Sequence, residues 1–471
     1  MAMIGTGREI RPNDRERAQD AGTDGEGTPP PAFRANLKCI ECDAEYDLYQ
    51  VIYRCRACDG LLTVAHDPRP IRAKGAQAWK DLFTSRTGDY RHPNGSGIWS
   101  RREWVLPEIQ DEHIVSHGEG NTPLSHLPAL ASELGLSNLW IKQCGVSHTG
   151  SFKDLGMTVL VSHVKSLIAR GVGIRAVACA SSGDTSAALA AYAAAAGVPT
   201  IVFLPAGKIS TAQLLQPLSS GAHVLSLDTD FDGCMRIVKD LTQNDDSIYL
   251  ANSMNPLRIE GQKTVSIELC QQLGWELPDW VIIPGGNLGN VYALGQGFHL
   301  LKEAGIISKA PRICVAQAAA ANPLYLSYQT GFREYKAVAA GETLASAIRI
   351  GDPVSYPRAV KTLREFDGIV RQASESELAS AAARVDRHGM FNDPHTGVAL
   401  ACMFQMVEAG EIEAGQSAAV ISTAHGLKFV EFKTAYHEAR LDMSDFSHRN
   451  EPVPLPADAA AVGETLNRLL G

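Results

Sequence analysis

One lysine and four turns in this sequence carry residue types able to do chemistry. Lys153 lies in Ser147-His148-Thr149-Gly150-Ser151-Phe152-Lys153-Asp154, where polar, glycine-containing residues give way to the apolar helical run Leu155 to Val161. The amine is therefore expected near a helix N-terminus, where the positive end of the dipole opposes its charge. That setting lowers a lysine pKa and favours the free amine, the form that condenses with a carbonyl to a Schiff base. Taken alone, a solvated surface lysine lying beside Phe152 is the commoner reading.

The turns have their own chemistry. Ser181-Ser182-Gly183-Asp184-Thr185-Ser186 joins an apolar run at 176–180 to an Ala-rich helical run at 187–196. Its hydroxyls and free backbone N–H groups suit a carboxylate or phosphate, although plain helix capping has the same look. Pro284-Gly285-Gly286-Asn287-Leu288-Gly289-Asn290 follows the run at 280–283 and precedes a helix. Glycines there let amides approach phosphate oxygens, with a helix dipole behind them. Pro284 occupies the place of the first glycine of a dinucleotide fingerprint, and no G-K-[ST] ending follows, so a single phosphate such as that of pyridoxal 5′-phosphate (PLP) fits better. A simple tight turn is the alternative.

The next turn, Ser422-Thr423-Ala424-His425-Gly426-Leu427-Lys428, again follows an apolar run. A hydroxyl at this point suits the pyridine nitrogen of PLP without forcing its protonation, which favours elimination and replacement chemistry. In the last, Asn252-Ser253-Met254-Asn255-Pro256-Leu257-Arg258, Arg258 offers a bidentate clamp for a substrate phosphate, and Lys208 in Pro205-Ala206-Gly207-Lys208 a point charge. Ordinary surface charge is the commoner reading of both without context.

The elements that must position these turns are legible as a pattern. Short β-branched runs at 139–141, 176–178, 200–204, 223–225, 280–283, 313–315 and 418–421 alternate with Ala-rich helical stretches. Buried continuous strands separated by helices predict an α/β chain with mainly parallel sheets, and their number predicts two lobes. Residues 1–36 read as a disordered tail by composition and 37–66 as a small cysteine-bearing module. Residues 67–450 read as the catalytic domain, its smaller lobe at about 155–255, with a Trp-rich irregular wrap at 70–120. A tail and short amphipathic helix fill 451–471.

A net charge of −9 supplies no basic footprint for nucleic acid, and no run of about 18 apolar residues reaches across a bilayer. The charged N-terminus lacks the apolar core of a secretory signal. Of ten cysteines six are scattered singly, and four form Cys39-Ile40-Glu41-Cys42 and Cys55-Arg56-Ala57-Cys58, twelve residues apart. That spacing predicts a structural tetrathiolate zinc ribbon in a reducing compartment, read here as the cytoplasm. A ribbon folding with reduced, metal-free cysteines is the alternative. His388, His395 and His425 read as pocket or core histidines, having no partner at metal spacing.

Together these segments resemble the plant-type branch of the threonine synthases, among the fold-type II (tryptophan synthase β-like) PLP enzymes. Gly120-Asn121-Thr122-Pro123-Leu124, His148–Val161, Ser181–Ser186, Phe203–Ser210, Thr229–Met235, Asn252–Lys263, Pro284–Asn290, Ala345–Val354, Pro394–Leu400 and Ser422–Phe429 match in order, across roughly residues 70–445. The resemblance implies conversion of O-phospho-L-homoserine and water to L-threonine and phosphate by a carbon–oxygen lyase. It implies that Lys153, beside Phe152, anchors PLP as a Schiff base and then moves protons at Cα and Cβ. Gly285, Gly286, Asn287, Leu288, Gly289 and Asn290 would bind the cofactor phosphate, Thr423 the ring nitrogen, and Asp184 would lie near the 3′-hydroxyl. Ser181, Ser182 and Thr185 would meet the substrate carboxylate. Lys208, Ser253 and Arg258 would hold the substrate phosphate, with Asn287 shared between the two phosphates, and Asn252 would be a further substrate-binding residue. A homodimer and an S-adenosylmethionine effector are further implications.

Two departures accompany the resemblance: many relatives in the wider fold carry Asn in place of Asp184, and the cysteine module is not associated with the higher-plant enzymes. Two rival readings follow from the residues. A threonine or serine dehydratase, or an O-phosphoserine-using synthase, has the same fold, though a dehydratase has little need of Lys208 and Arg258. A zinc-ribbon interaction protein with an inactive PLP-like domain would not need an intact Lys153.

Overall fold

The computed structural model describes residues 32–181, 183–206, 211–229 and 231–471. Residues 1–31 of the expected tail, Ser182 and Lys208 lie outside them. The cysteine module is an antiparallel sheet of β1 (Ala35–Cys39), β2 (Glu45–Tyr46) and β3 (Leu62–His66), in the order β2-β1-β3. β1 and β3 pair along their length, from Ala35 opposite His66 to Cys39 opposite Leu62, so the first knuckle leaves one strand where the second returns to the other.

Two further sheets carry the rest. The larger uses β4 (Leu124–His126), β5 (Asn138–Gln143), β10 (Trp280–Pro284), β11 (Arg312–Ala318), β12 (Ile369–Ala373) and β13 (Ser417–Ser422), ordered β12-β11-β10-β13-β5-β4. Only the edge strand β4 runs antiparallel in it. The smaller uses β6 (Ala176–Ala180), β7 (Thr200–Pro205), β8 (His223–Leu227) and β9 (Ile248–Leu250), all parallel, in the order β8-β7-β6-β9. Central strands β6 and β10 are buried at every residue, as strands covered by helices on both faces must be. This is the two-lobed α/β architecture with mainly parallel sheets that the apolar runs predict.

The helix Lys153–Ala169 is apolar on nearly every side, with thirteen of its residues buried, and so belongs inside the molecule. It crosses the short helix Leu257–Gln262 at backbone contact. A Cβ on Gly261 would stand 1.6 Å from Leu155 O, and one on Gly156 2.8 Å from Arg258 O, so only glycine fits at either position. The Trp-rich segment after the module holds two helices, Pro68–Lys74 and Ala76–Ser85, where composition reads as irregular. It does wrap the core: Trp79, Trp99 and Trp104 are fully buried, and Trp99 Nε1 donates to Thr158 Oγ1 of the Lys153 helix at 2.8 Å.

Candidate active site

Every turn singled out above lies at the carboxyl end of a parallel strand, the side where α/β sheets open to ligands. The Lys153 segment follows β5 and the 422–428 turn follows β13, its neighbour in the sheet. Their loops continue the pairing: Phe152 N donates to Thr423 O and His425 N to Gly150 O, both at 2.9 Å, and Ser151 bridges Ala424. Lys153 and Thr423 are thereby held on adjacent loops. Buried Asp154 locks the first loop by accepting from Ser147 Oγ (2.8 Å), Thr149 N (2.7 Å) and Thr149 Oγ1 (2.6 Å). Burial raises its carboxyl pKa, and those three donors counter the rise only in part.

Lys153 opens its helix and is half-buried, with Nζ 3.7 Å from the centre of the Phe152 ring. Desolvation by the cleft walls lowers its pKa from 10.5 to about 7; Asp184 and Asp393 raise it, while Arg258 and Lys428 lower it further. A large part of the amine is therefore neutral near pH 7. Asp393 stays charged: burial pushes its carboxyl up, but His395 and Thr396 donate to it and hold it below the usual carboxylate range. His395 is the buried core histidine its sequence context predicts, with Nδ1 on Asp393 and Nε2 taking Ala347 N at 2.9 Å.

The smaller lobe brings the second group. Asp184 begins the helix Asp184–Ala196 and is almost fully buried, with Oδ1 2.8 Å from Lys428 Nζ. Ser181 Oγ accepts from Gly183 N at 3.3 Å, which shapes the turn. Arg258 is only 4 % exposed, and burial lowers its pKa to about 10. Its contacts are weak and neutral: Nη1 to Ala251 O at 3.3 Å, Nη2 to Thr185 Oγ1 at 3.5 Å, and no bond at Nε. Among the described residues no carboxylate pairs with it. A buried guanidinium left in that state is set to receive an anion. The Asn252 amide both donates to Ala180 O (3.0 Å) and accepts from Ala180 N (3.1 Å), joining the segment after β9 to the last residue of β6.

In the glycine-rich turn, Gly285 N donates back to Ala316 O of β11 at 2.8 Å and Asn290 Nδ2 to Pro284 O at 2.8 Å. Asn287 links outward, Nδ2 to Ser253 Oγ at 3.2 Å and Oδ1 from Val354 N at 3.2 Å. The N–H groups of Gly286, Asn287 and Leu288 have no acceptor among the described residues, and the helix Gly289–Glu303 starts behind them. A Cβ on Gly286 would press on Ile348 Cα at 2.9 Å, so the turn stays thin there. Free amides at a helix N-terminus, a neutral amine, and a Thr423 hydroxyl without a bond to the described residues fit the phosphate, aldehyde and ring nitrogen of PLP.

Sequence reasoning passed over Lys428 and Gln216. Lys428 Nζ contacts Thr149 O (3.0 Å), Gln216 Oε1 (3.0 Å) and Asp184, and Gln216 Nε2 also donates to Thr149 O at 3.0 Å. No spacing announces such a knot. The one local signal was the conjunction of Gly150 at φ +80° with a lysine on the facing loop, whose stem a Cβ at Gly150 would meet at 2.9 Å.

Away from the cleft, the Sγ atoms of Cys39, Cys42, Cys55 and Cys58 lie within 4.8 Å of one another. Cys39–Cys58 and Cys42–Cys55 stand at 3.5 Å and Cys42–Cys58 at 3.4 Å. A Cβ on Gly60 would crowd two of them, at 3.0 and 3.1 Å. Four thiols facing one point are close to the edges, roughly 3.8 Å, of a tetrahedron with Zn–S bonds of about 2.3 Å.

Comparison with known proteins gives a consistent pattern. The family of pyridoxal-phosphate-dependent enzymes matches residues 115–424. The chain is 51% identical over 427 residues to the chloroplastic threonine synthase 2 of Arabidopsis thaliana, covering 90% of this chain and 82% of that protein. It is 37% identical over 392 residues to the threonine synthase of Methanocaldococcus jannaschii, covering 83% and 92%. The solved threonine synthase of Escherichia coli has a TM-score of 0.65 at 20% identity over 92% of this chain and 100% of that one. Threonine deaminase isoform 2 of Solanum lycopersicum has a TM-score of 0.56 at 19% identity over 66% and 87%. At such identities these two structures speak to the fold.

Proposed function

The chain belongs to the pyridoxal-phosphate-dependent enzymes and, within them, to the threonine synthases, and from that premise we propose how its own residues turn O-phospho-L-homoserine and water into L-threonine and phosphate. The observation that carries the reading is Arg258, a buried cation lacking a carboxylate partner among the described residues, on a helix in backbone contact with the one bearing Lys153. The free amides of Gly286, Asn287 and Leu288 answer for one phosphate; Arg258 calls for another.

When bound, PLP supplies an electron sink for charge developing at the substrate's Cα and Cβ. Lys153 would be its covalent anchor and, once released as an amine with a pKa of about 7, the base that takes protons from Cα and Cβ so that the γ-phosphate leaves; Cγ and Cα then take protons back, and water adds its hydroxyl at Cβ. Gly286 to Asn290 would hold the cofactor phosphate, Thr423 would meet the ring nitrogen, and Asp184 would lie near the 3′-hydroxyl. Ser181, Ser182 and Thr185 receive the substrate carboxylate. Arg258 holds the leaving phosphate with Ser253 and Lys208, Ser253 being fixed through Asn287. Asn252 serves by tying the segment after β9 to the end of β6, from which the 181–186 turn departs.

Phosphate release from O-phosphohomoserine, set against keto-acid formation from threonine, tests the reading. Inorganic phosphate in step with threonine is the expected result, abolished in Lys153→Ala. Keto acid alone would make the chain a dehydratase.

Zinc at Cys39, Cys42, Cys55 and Cys58 belongs to the same proposal, supported by the near-tetrahedral spacing of the thiols and the gap at Gly60. With four protein ligands its role is structural. None of the ten cysteines is joined in a disulfide, and a reducing, cytoplasmic setting is part of the same proposal. No helix among the described residues is long and apolar enough to cross a membrane. A homodimer is supported by the exposed Phe391, Leu427 and Val430 near the 422–428 turn, and sedimentation tests it. Whether phosphate release responds to S-adenosylmethionine tests the effector.

A further inference from the structure

Lys428 reaches across the cleft with its stem lying over Gly150, a position where any Cβ would meet Lys428 Cδ at 2.9 Å and Cγ at 3.2 Å. Its ammonium has three protons and three acceptors: Asp184 Oδ1 at 2.8 Å, Thr149 O at 3.0 Å and Gln216 Oε1 at 3.0 Å. Those acceptors come from the smaller lobe twice (Asp184, and Gln216 on the helix Thr211–Ser219) and from the Lys153 loop once. Gln216 Nε2 closes the ring onto the same Thr149 carbonyl. The Lys428 side chain is 20 % exposed, so the knot is partly sheltered from competing water.

We propose that Lys428 is a positioning residue with two linked effects. It latches the 184–196 and 211–219 helices of the smaller lobe to the Lys153 loop, and it engages the Asp184 carboxylate so that this charge does not pair with Lys153. Two lysines face one nearby carboxylate across the cleft. Burial is the main influence that lowers the Lys153 pKa; of the charged groups acting on it, Asp184 and Asp393 oppose that shift, and Arg258 and Lys428 add to it. Replacing Lys428 by an uncharged residue removes one of these cations and frees Asp184 in a single step. Protonated Lys153 then gains the partner it lacked.

This inference rests on the threonine synthase reading for its kinetic arm only. Holoenzyme, Lys428→Met, Lys428→Arg and Gln216→Ala are compared by hydrogen–deuterium exchange and by the pH profile of kcat for phosphate release from O-phosphohomoserine, since Lys153 is a free amine only in the enzyme–substrate complex. In Lys428→Met, amides of the 211–219 helix exchange about tenfold faster, while peptides of β10 and β13 do not change. The acid limb of its profile moves to higher pH, because a base of raised pKa stays protonated longer. Lys428→Arg restores the protection by keeping the charge. Gln216→Ala loosens the helix yet leaves the acid limb in place, since Asp184 keeps its cation. Unchanged exchange in Lys428→Met overturns the latch, and an unmoved limb overturns the charge effect. Absence of phosphate release from the unsubstituted enzyme would sink the reaction reading instead, and the exchange data would still judge the latch.

Discussion

Arg258 is a strong cation whose neighbours offer it only a carbonyl and a hydroxyl. Removing its charge should therefore relieve the protein and penalise the ligand. Arg258→Gln is expected to raise KM for O-phosphohomoserine by roughly 10²-fold, a charge-assisted pair being worth about 1.5–3 kcal/mol, with the melting midpoint kept or raised. Steady-state kinetics and thermal melting check the two halves. Lys153 makes a prediction about pH. Its pKa in the fold, about 7, lies below the ordinary 10.5, so the reactive free amine accumulates as pH rises through 7 and is complete well before 10. The rate at which the apoenzyme takes up PLP covalently, followed by absorbance, should climb about tenfold per pH unit below 7 and level off above it. A rate still climbing at pH 9 would mean an ordinary lysine.

Among the elements, the crossing of the helices Lys153–Ala169 and Leu257–Gln262 is the tightest made on behalf of the site. Gly261→Ala forces a methyl onto Leu155 O, and such overpacking costs about 1–3 kcal/mol. The expected outcome is a lower melting midpoint with a raised KM for O-phosphohomoserine, whereas Gly463→Ala, which meets nothing within 4 Å, leaves both alone. What the sequence made legible at this scale follows burial. β6, β7, β10, β11 and β13 announced themselves because central parallel strands are apolar on both faces, while β5 and the largely exposed edge strand β8 showed through the short runs at 139–141 and 223–225. β12 did not, since its edge position admits Arg371 and Gln372, and β4 and β9 are three residues each. The cleft turns were readable because glycine and hydroxyl residues follow those strands directly. Lys428 was not, since its partners at 149, 184 and 216 meet only after both lobes have formed, and Asn252 looked like a ligand until Ala180 took its amide.

Across the whole molecule, the cysteine module is bolted to the elements that carry the site. His66 Nε2 bonds Glu260 Oε2 at 2.6 Å and Lys263 Nζ at 2.9 Å beside the Arg258 helix, with a further Lys263–Glu260 pair, all three groups buried. Leu48 O takes His163 Nε2 of the Lys153 helix at 3.1 Å, Tyr53 OH takes Leu250 N of β9 at 2.7 Å, and Arg358 donates to Leu62 O. If zinc holds the knuckles, stripping it with a chelator should lower the melting midpoint by roughly 5 °C or more and weaken substrate binding before turnover. Calorimetry with added zinc as the reversal checks this. The glycine crossing has a consequence at this scale as well. Because Gly156 and Gly261 let two backbones touch, Lys153 and Arg258 ride on two helices fixed against each other, and in the roles proposed for them the span between them would work as a ruler. A ruler selects by chain length, so O-phosphoserine, a methylene shorter than O-phosphohomoserine, is expected to release phosphate with a markedly lower kcat/KM in steady-state assays. Engineering this enzyme toward shorter phosphoesters would then mean resetting the crossing rather than repainting the pocket.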